Sequence, residues 1–283
     1  MHSCDKARKR ESNCAGYGKD AFIVGEHGWK PSSIKRMDEL LELAISIAKR
    51  AGALLQERPS QLSIDTKSSD IDIVTQMDRA SEKLIVEEIL SARPDDGIIG
   101  EEGADRPSKS GYTWVIDPID GTVNYFYNMP GWSVSIAVKD QSGTVVGVVY
   151  APTINSLFTA IRGGGAFENG EPLKCNNPIE LNRALIATGF HYVESIRSQQ
   201  IAQFNKLILN IRDYRRNGSA AVDICHVAAG VVDGYYEMGL KEWDLAAAEL
   251  IAKEAGAIVS IHGELTIAAG AHLHGILSGQ LLD

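Results

Sequence analysis

No stretch of this chain approaches the ~18 consecutive apolar residues that a bilayer-spanning helix requires, and residues 1–30 lack the apolar core of a secretion signal. A cytoplasmic protein is therefore expected. Cysteine is sparse: Cys4, Cys14, Cys175 and Cys225 make no C-x-x-C pair and no regular frame, which argues against a disulfide scaffold or a zinc site. Basic residues are in deficit, with 28 Lys and Arg against 37 Asp and Glu and a net charge of −9. That balance excludes a broad cationic surface for nucleic acid, and it also repels anionic substrates. A phosphate ester would need a cation recruited locally. The glycine-rich phosphate loops are missing too. Gly163, Gly164 and Gly165 are not followed by Lys with Ser or Thr, and no G-x-G-x-x-G occurs, which removes a P-loop kinase and weakens any dinucleotide enzyme.

What is present is an ordinary globular composition, 44% hydrophobic and 23% charged, in a chain long enough to bury a substantial core. Residues 1–33 mix charges and glycines without periodicity and read as a tail, with Lys6, Arg8, Lys9 and Arg10 as solvated charges rather than a docking arm. From Met37 to Leu55 apolar residues recur every three or four positions, which predicts an amphipathic helix. A second helix is expected from about Asp78 to Leu90, stopped before Pro94 and Gly97. Strands are expected near 98–100, 114–116, 132–138, 144–150 and 156–161, the last three as antiparallel neighbours. Asn169-Gly170 marks a tight hairpin. After residue 180 the pattern alternates: strand 184–188, helices 197–211 and 219–231, strand 234–237, helix 244–255, strand 257–261 and a short terminal helix. This predicts α/β layering, with one lobe over 34–180 and another over 181–283.

The chemistry lies in acids at the ends of strands. The stretch W-V-I-D-P-I-D-G-T at 114–122 ends a buried run on Asp117, and Pro118 is expected to stop the ladder and turn the chain. Asp120 follows in the turn, and Gly121 with Thr122 offers open backbone amides to an anion. Each aspartate alone reads as a turn former or helix cap. Together on a rigid strand end they would repel unless a cation lay between them, and hard oxygens select Mg²⁺ or Ca²⁺. Glu101 ends the preceding strand and faces the same crevice if the two strands are close, with Glu102 pointing away. Asp244, in E-W-D-L-A-A-A-E-L, opens a helix and taken singly is a cap.

G-E-E-G at 100–103, the 114–122 stretch and W-D-L-A-A-A-E-L from 243 resemble the inositol monophosphatase family signatures. So do K-S-S-D-I-D-I-V-T-Q-M-D at 67–78, R-R-N-G-S-A-A-V-D at 215–223 and Y-E-M-G at 236–239, in family order from about residue 37 to 261. The resemblance implies an αβαβα five-layer sandwich, commonly homodimeric, hydrolysing a small phosphorylated polyol with Mg²⁺ and inhibited by lithium. By the same resemblance Glu101, Asp117 and the carbonyl of Ile119 hold one Mg²⁺, while Asp117, Asp120 and Asp244 hold a second. A third, weaker one would use Glu101 and water. Phosphate would lie against Gly121 and Thr122, with Asp120, Ala220, Glu237 and Asp244 toward the polyol hydroxyls and Arg215 as a further contact. Asp78 with Thr122 would orient the attacking water, Glu101 would take its proton, and Lys67 would be a nearby cation.

The residues 123–132 and the Y-E-M-G segment favour inositol phosphate over histidinol phosphate or other sugar phosphates. The tail, Asn217 and the histidines at 271–275 depart from the family pattern without touching a proposed ligand. Two other classes compete. One is a non-catalytic partner of the transcription machinery, as some bacterial relatives are. The other is a calcium module, which the absence of an EF-hand pattern opposes.

Overall fold

The three-and-four spacing of the first helix becomes a continuous buried face. Met37, Leu40, Ala44, Ile47, Ala48, Ala51 and Leu55 all lie in the core along α1 (Pro31–Gln56). The computed structural model describes residues 31–67 and 71–282, and α1 begins at Pro31, so the last residues assigned to the tail are helical. The remainder of the tail, with its basic run, lies outside the described residues.

Between α1 and α2 (Gln76–Ala92) the sequence suggests no strand, yet β1 (Ile64–Thr66) pairs antiparallel with β2 (Ile73–Thr75). Every residue of β1 is exposed, so no alternation of polarity marks it. A seven-stranded sheet then forms in chain order from β3 (Gly97–Gly100), β4 (Thr113–Asp120), β5 (Ser133–Asp140), β6 (Gly143–Ala151), β7 (Ser156–Ile161), β8 (Gly165–Glu168) and β9 (Glu171–Pro172). The first pair is parallel and the rest antiparallel. The β8–β9 hairpin turns on Asn169-Gly170, both at positive φ, as the dipeptide predicts. The short helix α3 (Thr122–Phe126) sits between β4 and β5.

The second sheet is ordered β11-β10-β12-β14-β13, from β10 (Leu185–Thr188), β11 (Asp213–Arg215), β12 (Gly234–Met238), β13 (Ile258–His262) and β14 (Leu265–Ala269). Helices α4 (Glu194–Leu207), α5 (Ala220–Ala228), α6 (Glu242–Glu254) and α7 (Ala271–Leu282) complete the chain. Neither β11 nor β14 is expected from the sequence. The latter is buried at all five residues, and such a short apolar run has no period to announce it.

Alternation within strands stacks these elements into five layers. Trp114 and Ile116 face α1 and α2, whereas Val115 between them faces α5 and α6. In the second sheet Ala187, Tyr235 and Ala268 face that same middle pair of helices, while Ile186, Tyr236 and Ile267 face α4 and α7. The order is helices, sheet, helices, sheet, helices, which is the αβαβα sandwich. Among the described residues Cys175 and Cys225 are buried free thiols, and no helix is long and apolar enough to cross a membrane.

Candidate active site

Strand β4 does not stop at its proline. Its register with β5 runs from Thr113 to Asp117 opposite Ser135, shifts, and resumes with Asp120 opposite Ser133. The irregularity spans Pro118, which lacks a ladder N–H, so the bulge absorbs the proline where a turn is expected from the sequence. Its effect is to bring both aspartates to the same end of the sheet. Asp117 accepts the Ile119 N–H at 3.0 Å, and the Ile119 carbonyl accepts the Thr122 hydroxyl at 3.1 Å.

Asp120 reaches across to the second half of the chain. It accepts the Ser219 hydroxyl at 2.5 Å and the backbone N–H groups of Ala220 at 3.2 Å and Ala221 at 2.7 Å, at the start of α5. Ala220, assigned to polyol hydroxyls, thus gives its N–H to Asp120. Asp244 lies in the first turn of α6 and accepts the Lys241 N–H at 2.6 Å, so its capping and site positions coincide. One carboxylate oxygen from each of Asp117, Asp120 and Asp244 lies within 4.8 Å of the others. Glu101, just beyond the parallel strand β3, lies near enough to Asp117 for its charge to act on that carboxyl, and receives the Lys67 ammonium at 2.8 Å. Glu102 stays out of the cleft lining, as expected, while its carboxylate binds that same ammonium at 2.5 Å.

Burial drives the Asp117 carboxyl well above the usual range, and the charges of Glu101, Asp120 and Asp244 add to it. Asp244 is likewise raised well above its ordinary value, by burial and then by Asp120. Asp120 and Glu101 are also raised, first by burial, against their hydrogen bonds to Ser219 and the pull of Lys67 respectively. Burial alone would lower Lys67, but the charge of Glu101 and the hydrogen bonds to both glutamates hold it above its ordinary value. Clustered carboxylates under this much mutual strain, all oxygen donors without imidazole or thiol, are chemically suited to a hard divalent cation such as Mg²⁺.

These groups line a cleft of about 490 Å³, room for a small phosphorylated molecule. Gly121 and Thr122 form part of its floor. Gly121 adopts φ 92°, and a Cβ there would lie 3.0 Å from the Gly218 carbonyl, so the turn before α3 requires glycine. Asp78 is fully buried in the first turn of α2, where it accepts the Thr75 N–H at 2.8 Å, the Thr75 hydroxyl at 2.6 Å and the Thr122 hydroxyl at 3.0 Å. Burial pushes its pKa up to about 6 despite those donors. On the far wall Glu237 accepts the Tyr235 hydroxyl at 2.5 Å, and burial raises it to about 7.

Two expected site residues stay out of the cleft lining: Asp78, which reaches it only through Thr122, and Arg215. Arg215 is exposed and pairs with Asp213 at 2.7 Å, whereas its neighbour Arg216 lines the cleft. Alternation along the chain decides which of the two adjacent guanidinium groups turns inward, and R-R alone does not reveal the phase. Also missed are His191 and Tyr192, on a loop with no motif, and Asp223, a buried acid in α5 raised to about 7 by burial.

The inositol monophosphatase family model matches residues 36–276. A curated relative, Nus factor SuhB of Pasteurella multocida, is 46% identical over 228 residues, covering 79% of this chain and 85% of that protein. Among solved structures, extragenic suppressor protein suhB from Bartonella henselae superposes with a TM-score of 0.82 at 32% identity, covering 86% of this chain and 98% of that one. An IMPase from Thermotoga maritima gives a TM-score of 0.80 at 30% identity, covering 86% and 97%. On its sequence, its layered fold and its acid-lined cleft, the chain belongs to the inositol monophosphatase family.

Proposed function

We propose that this protein is a Mg²⁺-dependent phosphomonoesterase of the cytoplasm, acting on a small phosphorylated polyol, foremost myo-inositol monophosphate. The observation that carries the reading is the convergence of Asp117, Asp120 and Asp244 within 4.8 Å, with Glu101 lining the same cleft. Glu101, Asp117, the Ile119 carbonyl, Asp120 and Asp244 would hold two Mg²⁺ ions, with Glu101 and water for a third. When bound, such ions supply an acidified water and neutralise charge on the phosphate and the leaving alkoxide.

The chain's own groups do the rest. Gly121 and Thr122 present backbone amides to the phosphate oxygens. Asp78 holds the Thr122 hydroxyl, and the pair orients the attacking water while Glu101 takes its proton. Glu237 accepts from a polyol hydroxyl, a need that a flat apolar ring would not have. Arg216 brings a cation to the substrate side of a strongly acidic cleft. The direct test is Mg²⁺-dependent phosphate release from inositol 1-phosphate beside histidinol phosphate and other sugar phosphates, with a lithium titration. Release from inositol phosphate with lithium inhibition is expected; no metal-dependent release from any ester would overturn the reading.

A second activity is favoured by the name of the Pasteurella relative, a Nus factor. On that reading the surface also contacts the transcription machinery as a protein partner, in a chain that is a homodimer. A pull-down with RNA polymerase from the same cells should be indifferent to Asp117→Asn.

A further inference from the structure

The helix α2 carries a buried polar stripe that a core helix does not need. Asp78, Ser81 and Glu82 recur at three and four residues on one face and are 0%, 0% and 5% exposed. Each grips a different segment of the acid site. Asp78 takes the Thr122 hydroxyl after Asp120, and Ser81 gives its hydroxyl to the Pro118 carbonyl at 3.2 Å, between Asp117 and Ile119. Glu82 accepts the backbone N–H groups of Glu102 at 2.8 Å and Ala104 at 3.2 Å, in the turn that carries Glu101.

We propose that Glu82 is a positioning residue for Glu101: its carboxylate clamps the 101–104 turn so that the Glu101 side chain faces Asp117 across the cation site. Gly100 fits this role, because a Cβ there would fall 2.5 Å from Glu82 Oε2, the oxygen that holds the Glu102 N–H. Among the described residues, Lys67 on its other flank bonds the carboxylates of Glu101 and Glu102 rather than the backbone of the turn. A buried carboxylate costs free energy unless its oxygens are hydrogen-bonded, and here each oxygen accepts one N–H. This rests on the reading of Glu101 as a cation ligand.

Two variants separate clamping from charge. Glu82→Gln keeps the volume but turns a donor toward one of the two N–H groups, and Glu82→Asp keeps the charge but falls one methylene short. Mn²⁺ binding followed by electron paramagnetic resonance, without substrate, is the readout beside kcat and KM at saturating Mg²⁺. Partners that orient a metal's ligands are worth about 10–100-fold in affinity or activity, so both variants should weaken Mn²⁺ binding and lower kcat by about that factor, with KM within about twofold. Wild-type Mn²⁺ affinity in both overturns the proposal, and so does an impaired Glu82→Gln beside a normal Glu82→Asp, which would make charge alone the cause. If Glu82→Gln does not fold, Glu82→Asp decides by itself. A wild-type chain that binds no Mn²⁺ would remove the functional reading first, and this one with it.

Discussion

Asp120 and Ala221 stand about a hundred positions apart in the chain and meet at 2.7 Å, a carboxylate accepting the backbone N–H of a helix start. The bond joins the end of one sheet to the helix layer that packs against both sheets, so the acid site is built where the two halves of the chain close on each other.

Removing a central acid should cost function and spare the fold. Asp117→Asn is expected to lower phosphate release by more than about 100-fold, beyond what disturbing a ligand's orienting partner costs. Since the charge removed is buried among like charges, the metal-free variant should melt no lower than the wild type. Calorimetry with and without Mg²⁺ checks both halves: wild type should gain stability from the ion, the variant should not.

The backbone of the Gly121 turn gives a second test. Gly121→Ala places a Cβ at φ 92° and 3.0 Å from the Gly218 carbonyl, which should cost about 1–2 kcal/mol in urea unfolding. Turnover should fall as well, because Gly218 must yield and Ser219, which holds Asp120, moves with it. Unchanged stability would mean the turn relaxes freely.

Adjacent arginines should behave differently. Arg215→Ala breaks an exposed pair with Asp213, worth at most about 1 kcal/mol, and should leave KM within about twofold. Arg216→Ala removes a cation from the cleft and should raise KM about tenfold, the loss of one hydrogen bond from a charged donor. Equal effects in steady-state assays would contradict the placement of Arg216.

Glu237 makes stability depend on pH in a definite direction. Burial raises its folded pKa to about 7 from an ordinary 4.5, so the folded state holds a proton more tightly than the unfolded one. Its contribution is fully present below pH 4.5 and is lost as pH rises through 7. Glu237→Gln keeps an oxygen for the Tyr235 hydroxyl and should therefore stabilise the metal-free protein by about 1–2 kcal/mol above pH 7, with little gain near pH 4. Urea titrations at the two pH values read this directly.

The sequence by itself determined the elements that repeat a period and the acids that follow them. The three-and-four spacing of α1, the apolar runs of β5 to β7 and the Asn169-Gly170 turn are local, because side-chain direction follows from backbone geometry within a few residues. Strand-end acids at 101, 117 and 120, and a helix-opening acid at 244, could be marked as candidates for the same reason. Only the tertiary structure decided which of them meet. The bulge at Pro118 shifts the β4 register and lets pairing with β5 resume at Asp120, and the packing of α5 and α6 between the sheets delivers Ser219 and Asp244 to it. The exposed β1 and the buried β14 escaped because one has no apolar side to bury and the other has no polar side to alternate with. Which of two neighbouring arginines faces the cleft, and which carboxylates share a pocket, depends on contacts between distant segments. Those contacts exist only after the chain's apolar faces have been buried against one another.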